Sequence, residues 1–325
     1  MRLSVAMCTY NGEKYIQEQL ESILKQTVSI NEIIICDDGS IDKTIQIIEN
    51  FQFNYQNKIS LYKNQANIGS TKNFEQAITI CSGDYIFLSD QDDIWNSNKV
   101  EKIMKFFDEN QTVEGVFSNA NLINEVGVNL KNQTLWNSVF FMENQLQKPI
   151  DLFSLIKSKR NMVTGATLCF KKEIKNLILP IPNIQKYYHD EWIAIIIASR
   201  NTLYYTTDKL ISYRIHPKQQ IGAKSSTKKN TVKKHIKISN FILGTISPKS
   251  YNDYSQLCKV YFRNYMKFKN ISKNTKNNFH LNFNEIAIVN LDLFKECNNS
   301  LQKTNPVLYF LKNVLDRIRS KRQLN

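Results

Sequence analysis

The chain has 325 residues, 42% of them hydrophobic, enough to bury a substantial core as one large domain or two smaller ones. No apolar run approaches the roughly 18 residues of a membrane-spanning helix, and the opening stretch MRLSVAMCTYNG turns polar too soon for a signal peptide. The net charge of +14 is uneven: residues 1–220 hold 23 Lys/Arg against 24 Asp/Glu, while residues 221–325 hold 20 against 5, so only the C-terminal third has the charge to attract nucleic acid, an anionic lipid surface or an acidic partner.

Residues 3–8 form an uncharged apolar run that reads as a buried strand, closed by the turn Thr9-Tyr10-Asn11-Gly12. Over 13–26, Tyr15, Ile16, Leu20, Ile23 and Leu24 recur at helical spacing. Residues 32–36 predict a second buried strand, ending in Asp37-Asp38-Gly39-Ser40; Ser40 or Asp42 can cap the helix that follows. Residues 59–62 read as a weaker third strand, 71–81 as a helix, 85–88 as a fourth strand and 97–107 as a helix burying Val100, Ile103, Met104 and Phe107. A fifth strand is predicted over 115–119. Short apolar strands alternating with helices predict an α/β domain with a mostly parallel, Rossmann-like sheet, whose ligands lie beyond the carboxyl ends of the strands.

Residues 122–160 are less regular, and the aromatic-rich stretch 135–141 suits either a substrate-side loop or a buried irregular segment. A strand entered through Gly165 is predicted over 166–170, a helix burying Trp192, Ile193, Ile196 and Ile197 over 190–200, and two short extended pieces over 203–215. Past Gly222 the chain becomes basic and helix-like, ending in an amphipathic helix over 307–318. The six cysteines are widely spaced, include no CxxC pair and read as reduced thiols of a cytosolic protein.

The stretch YIFLSDQDDIW at 85–95 carries the sharpest chemistry: a buried strand breaks into Asp90, Asp92 and Asp93. Acids clustered there are costly unless they meet solvent, donors or a metal. An acid–X–acid triplet can offer two carboxylates to one hard cation, so Asp90 and Asp92 read as holding Mg²⁺ or Mn²⁺ against a phosphorylated ligand; surface acids at a turn are the plainer alternative. One of Asp37 and Asp38 can accept the imide N–H of a pyrimidine base or a ribose hydroxyl, or simply close a turn. In His189-Asp190-Glu191-Trp192, Asp190 is the candidate general base toward an acceptor hydroxyl and Glu191 its neighbouring alternative; plain helix capping also fits. Arg214 and His216 share one face of an extended piece and can receive a leaving diphosphate, His216 as a third metal ligand or as a donor. The chain has no P-loop and no GxGxxG, and its histidines lack partners at zinc-site spacing.

Taken together, VAMCTYNG at 5–12, IIICDDGSID at 33–42, NQANIGSTKNFEQAI at 64–78, GDYIFLSDQDDIW at 83–95, TGATLCF at 164–170, HDEW at 189–192 and YRIH at 213–216 resemble the inverting family 2 glycosyltransferases of the GT-A fold, particularly bacterial polysaccharide rhamnosyltransferase-like members. The resemblance covers residue 3 to about Gly222. It implies a nucleotide pocket lined by Thr9, Tyr10 and Asn11, with Asp38 or Asp37 on the base or ribose, and the loop from Asn67 through Gly69 to Lys72 across the diphosphate. Lys72 stands where relatives carry arginine, so its phosphate contact is a point charge instead of a planar fork. Asp90 and Asp92 match the family's metal-binding motif, with Gln91 between them on the nucleotide-sugar side. Asp90 faces the ribose, and Asp92 is the better ligand. Asp190 matches the catalytic base. Gly165, Glu191 and Trp192 fall on the acceptor side, and His216 matches a position used for metal or pyrophosphate contact.

The expected organisation is therefore a GT-A catalytic domain over 1–222, with a nucleotide-sugar-binding half over 1–120 and an acceptor-binding half over 121–222, followed by a basic helical region over 223–325. The expected reaction is metal-dependent, inverting transfer of a sugar, dTDP-L-rhamnose or else a UDP-hexose as donor, to a hydroxyl of a bacterial surface polysaccharide or an undecaprenyl-linked precursor. A nucleotidyltransferase, a polyprenyl-phosphate glycosyltransferase and a nucleic-acid-binding protein using the basic tail are the competing readings. The expected location is the cytoplasm. The basic region either meets the inner membrane peripherally, joins copies of the chain, or packs on the catalytic domain.

Overall fold

A computed structural model of the chain describes residues 1–141, 143–146, 149–158, 161–185, 187–217, 219, 229–275 and 281–318. The first elements are β1 (Leu3–Thr9), α1 (Ile16–Leu24), β2 (Glu32–Asp37), α2 (Thr44–Asn54), β3 (Ile59–Lys63), α3 (Ser70–Ile80), β4 (Tyr85–Ser89), β5 (Ile94–Trp95) and α4 (Lys99–Glu109). There follow β6 (Gly115–Ile123), β7 (Asn129–Thr134), α5 (Leu135–Val139), α6 (Leu152–Ser158), β8 (Leu168–Lys171), α7 (Lys175–Ile178), α8 (His189–Ser199) and β9 (Leu203–Arg214). Four helices close the chain: α9 (Lys229–Ile242), α10 (Tyr251–Asn274), α11 (Phe283–Thr304) and α12 (Pro306–Ile318).

The chain forms two compact units, Met1–Phe141 with Asn161–Lys228, and Met142–Arg160 with Lys229–Asn325. The boundary differs from the expected one: residues 142–160, read from sequence as part of the acceptor half, group with the C-terminal helices.

The first unit is built on one sheet in the order β3-β2-β1-β4-β8-β6-β9-β5, with β7 on β6. β3, β2, β1 and β4 are parallel, as their apolar runs and crossover helices predict. Beyond β4 the sheet is mixed: β8 runs antiparallel to both β4 and β6, and β5 antiparallel to β9. An apolar run has no direction of its own, and the sequence alone could not reverse β8. Val5, Met7, Ile33, Ile35 and Phe87 form the sheet side of the core, against Ile16, Leu20 and Ile23 of α1 and Val100, Ile103 and Phe107 of α4.

The register places the functional edge. Thr9 pairs with Asp37 and Met7 with Ser89, so the polar ends of β1, β2 and β4 come out along one rim. One local feature differs from expectation, and a second settles between two readings. Residues 203–214 are one strand, because Ser118 pairs with Thr206 and Asn119 with Lys209; the polar residues between are a bulge, not a break. The stretch 135–141 is the buried alternative: Thr134 and Asn137 form a capping box, and Trp136, Phe141 and Tyr205 meet edge to face with centroids 4.8–5.7 Å apart.

In the second unit α10 and α11 pack through Leu257, Cys258, Tyr261 and Phe294, with Phe241 of α9. Ser250 and Asp253 make a capping box at the start of α10. All six cysteines are free and four are buried, in keeping with reduced, packed thiols. Among the described residues no helix is long and apolar enough to cross a membrane.

Candidate active site

The loops after β1 and β2 are tied to each other. Thr9 Oγ1 donates to Asp37 Oδ2 at 2.7 Å, and Asp37 also accepts from the Ser40 amide and hydroxyl. The Asn11 amide donates to Ser40 Oγ, and Asn11 Oδ1 accepts from the Ile41 amide. Asn11 sits at φ 49°, a left-handed conformation that asparagine tolerates. Gln91 grips the backbone of Tyr10 with both ends of its amide, at 2.8 and 3.0 Å. A Cβ on Gly12 would overlap Gln91 Oε1, so that grip needs glycine there. Asp38 takes the other side of the rim: its Oδ1 accepts from the Ile68 amide and Asn64 Nδ2, and its Oδ2 from the Gly69 amide. Asn67 Oδ1 also accepts from the Gly69 amide. Both Asp37 and Asp38 are thus buried and bonded internally. Asp37 behaves as the turn-closing alternative, and Asp38 fixes the 64–69 loop.

The turn after β4 is held from several directions. Gln19, fully buried on α1, donates to Ser89 Oγ at 2.7 Å and to the Asp90 carbonyl at 3.1 Å. Asp93 Oδ1 accepts from the Arg214 amide, while its Oδ2 is buried without a partner. The Arg214 side chain donates to the carbonyls of Asp92 and Glu125 at 2.7 and 3.1 Å, pairs with Glu18 at 2.6 Å and lies on the Tyr15 ring. His216 Nε2 meets Asp92 Oδ2 at 2.8 Å, and its ring also sits beside Tyr15. Burial, then the charges of Asp92 and Asp190, push the Asp90 carboxyl up to about 7. Burial, then the charges of Asp92 and Asp90, raise Asp93 as well.

Asp190 stands in the first turn of α8 with its carboxyl pushed up to about 7, chiefly by burial and then by Glu191; hydrogen bonds from the Glu191 and Gly165 amides and from Asn161 pull the other way. A carboxyl poised near neutrality suits proton abstraction from a hydroxyl. Gly165 is required by close approach: a Cβ there would lie 2.9 Å from His189 Nε2. His189 is buried, stacked on Phe74 at 3.9 Å, and held neutral by burial, which lowers it to about 3.

Three expected contacts need correction. Trp192 is fully buried and donates its indole N–H to the Ile178 carbonyl, so it is core and not an acceptor-side surface. Arg214 is 2% exposed with its guanidinium engaged as above; it braces the acidic turn and is not presented to a diphosphate. Lys72 Nζ pairs with Glu75 at 2.8 Å and donates to the Ile181 carbonyl at 2.9 Å, so it ties α3 to the 181 loop. Glu191 stays half-buried beside Asp190.

Sequence reasoning missed Glu18, Gln19, Tyr15 and Lys99. Lys99 is fully buried, donates to the Ala166 carbonyl at 2.9 Å and lies 3.6 Å over the Trp95 ring. Burial lowers its ammonium to about 7, against the pull of Cys169, Asp93 and Asp90. It thus links the acidic side of the site to the Gly165 turn. The signal was present: Lys99 falls four residues before Ile103 and eight before Phe107, on the apolar stripe of α4.

Replacing Arg214 by methionine is expected to cost about 2–4 kcal/mol, because the Asp92 and Glu125 carbonyls lose their donor. The half-exposed Glu18 adds little. Urea unfolding of the variant measures this, and an unchanged midpoint would show that Arg214 is not the brace.

Asp92 and His216 suit a divalent cation. Their facing atoms stand 2.8 Å apart, near the ~3 Å between adjacent ligands around an octahedral ion with bonds of about 2.1 Å. The unneutralised charge around Asp90 also favours a cation. The expected three-ligand set is not assembled: among the described residues no three His, Cys, Asp or Glu side chains converge on one point. Asp90 therefore does not complete a cage with Asp92 and His216. Two protein donors suit Mg²⁺, which usually keeps waters and takes substrate phosphates as its remaining ligands.

The model of glycosyl transferase family 2 matches residues 4–162. The dTDP-rhamnosyl transferase RfbG of Shigella flexneri is 32% identical over 233 residues, which is 68% of this chain and 75% of the relative. An uncharacterized glycosyltransferase of Haemophilus influenzae is 25% identical over 237 residues, 71% of each chain. Among solved structures, S. aureus TarS 1-349 in complex with UDP superposes with a TM-score of 0.51 at 15% identity, covering 93% of this chain and 90% of that one, a likeness of fold alone. The architecture is the GT-A fold with a helical C-terminal region. On these grounds the chain belongs to glycosyl transferase family 2.

Proposed function

We propose that this glycosyltransferase performs a divalent-cation-dependent, inverting transfer, with dTDP-L-rhamnose as donor and a hydroxyl of a bacterial surface polysaccharide or lipid-linked oligosaccharide precursor as acceptor. The observation that carries the reading is Asp190, a carboxyl raised to about 7 whose charge reaches Asp90 of the acidic turn. A proton acceptor and an anion-binding centre so juxtaposed suit attack by a hydroxyl on one side of a sugar and departure of a diphosphate on the other. Asp190 takes the acceptor proton as the oxygen attacks the anomeric carbon from the face opposite the diphosphate. Residues 1–120 supply the nucleotide side, with the rim of Thr9, Tyr10, Asn11 and Asp38 and the 67–72 loop; residues 121–222 supply the acceptor side, with Gly165 and Glu191. Asp92 and His216 would hold Mg²⁺ or Mn²⁺, which supplies charge neutralisation at the leaving diphosphate. The rhamnosyl preference rests on the name of the Shigella relative; a UDP-hexose would use the same carboxyls.

Calorimetric titration of the protein with dTDP-, UDP- and GDP-sugars, with and without Mn²⁺, tests this. Binding of a dTDP-sugar in preference to the others, strengthened by Mn²⁺, is the expected result. Preference for a UDP- or GDP-sugar reassigns the donor, and failure of every nucleotide sugar to bind overturns the assignment of the rim.

A further inference from the structure

The last described helix carries its amphipathic pattern inverted. α12 meets the helical unit through polar groups. Asn298 Nδ2 donates to Tyr309 Oη at 2.8 Å and Tyr251 Oη donates to the Leu308 carbonyl at 3.0 Å, while Lys312 pairs with Asp316 one turn further along α12 itself at 3.5 Å. The Lys312 and Asp316 side chains are only 13% and 12% exposed. Val307, Leu308, Phe310, Leu311, Val314 and Leu315 are instead 38–70% exposed. Val307, Leu311 and Val314 follow one another at helical spacing, and Phe310 and Leu315 flank them, so the exposed apolar side chains form one continuous stripe. A surface helix normally turns such a stripe toward its own core.

We propose that this face of α12 lies on the surface of an anionic lipid bilayer. Residues 306–325 carry five Lys/Arg, at 312, 317, 319, 321 and 322, against the single acid Asp316, so the apolar stripe is accompanied by the charge that anionic headgroups attract. The helix has 13 residues, about 20 Å at 1.5 Å per residue, too short to cross the hydrocarbon core and suited to lying in its interface. A second copy of the chain is the poorer occupant. Pairing two such faces would bring together two basic segments, each from a region with 20 Lys/Arg and 5 Asp/Glu over residues 221–325.

The test is flotation of the 325-residue chain with vesicles of phosphatidylcholine alone and of phosphatidylcholine with phosphatidylglycerol, alongside light scattering of the vesicle-free protein. The expected result is binding to the anionic vesicles and little to the neutral ones. Partition should fall at least about tenfold in the Phe310→Ser/Leu311→Ser variant. Because both side chains are exposed, helix content and the unfolding midpoint should not move, and those measurements check that the variant is folded. Absence of vesicle binding overturns the proposal, and so does binding that the variant retains in full, since charge alone would then account for it. A wild-type dimer that the variant converts to monomer also overturns it and assigns the face to a second copy.

Discussion

Sugar transfer by the Asp190→Asn protein is expected to fall by about 10²–10⁴ at pH 8, with donor binding kept within about twofold. Asparagine preserves the shape of the first turn of α8 and can still accept the Glu191 amide, which donates to Asp190 Oδ1 at 2.6 Å. It cannot accept a proton. The wild-type carboxyl is raised to about 7, so it is an effective base above that pH, and the rate should fall about tenfold per unit below it. The asparagine variant should lose this acid limb. The stability effect has the opposite sign. The folded-state value lies above the ordinary 3.8, so ionising Asp190 favours the unfolded chain, and its contribution to stability is lost as pH rises from about 4 through 7. At pH 8 the variant should therefore unfold at a urea concentration no lower than the wild type. A rate profile with its acid limb intact in Asp190→Asn would remove Asp190 from the role of base and leave Glu191 to be tested.

How much of this was legible in the sequence depends on what each residue has to signal. β1, β2 and β4 announce themselves as apolar runs that end in turn-forming and acidic residues, and the parallel register then brings those ends to one rim. The direction of β8 was not legible, because apolar composition is the same read either way. Nor were the internal commitments of the polar side chains. Arg214 in YRIH looks like any cation near a diphosphate, and only the fold shows the carbonyls of Asp92 and Glu125 and the Glu18 carboxylate closing around it. Lys72 was misread for the same reason, since its partner Ile181 lies 109 residues away. Trp192 was legible as core from its place among Ile193, Ile196 and Ile197, and only the family resemblance put it on the acceptor side. α12 shows the limit most clearly. Its amphipathic pattern was plain in the sequence, and the usual inference that the apolar side faces inward is wrong for this helix.

The Asp92→Ala protein is expected to lose at least about 100-fold in affinity for the nucleotide sugar in Mn²⁺, and to bind no better with the ion than without it. The argument rests on how the turn is held. The Asp92 backbone carbonyl accepts from Arg214 Nε, the neighbouring Asp93 carboxylate accepts from the Arg214 amide, and Gln19 holds the Asp90 carbonyl. None of these bonds uses the Asp92 side chain, which meets His216 instead. Truncating it should leave the turn in place and remove one anionic ligand, so the loss reports on ligation and not on folding. Asp90 provides an internal check. One of the charges that raise its carboxyl is Asp92, and without that neighbour it should ionise more readily, which leaves the site with a negative charge but without the Asp92–His216 pair. If negative charge alone attracted the cation, Asp92→Ala would retain much of the metal effect. If the pair is the ligand, His216→Ala should reproduce the loss, and the double variant should be little worse than either single one. Metal-enhanced binding that survives in Asp92→Ala would place the cation elsewhere and overturn the assignment of Asp92 and His216.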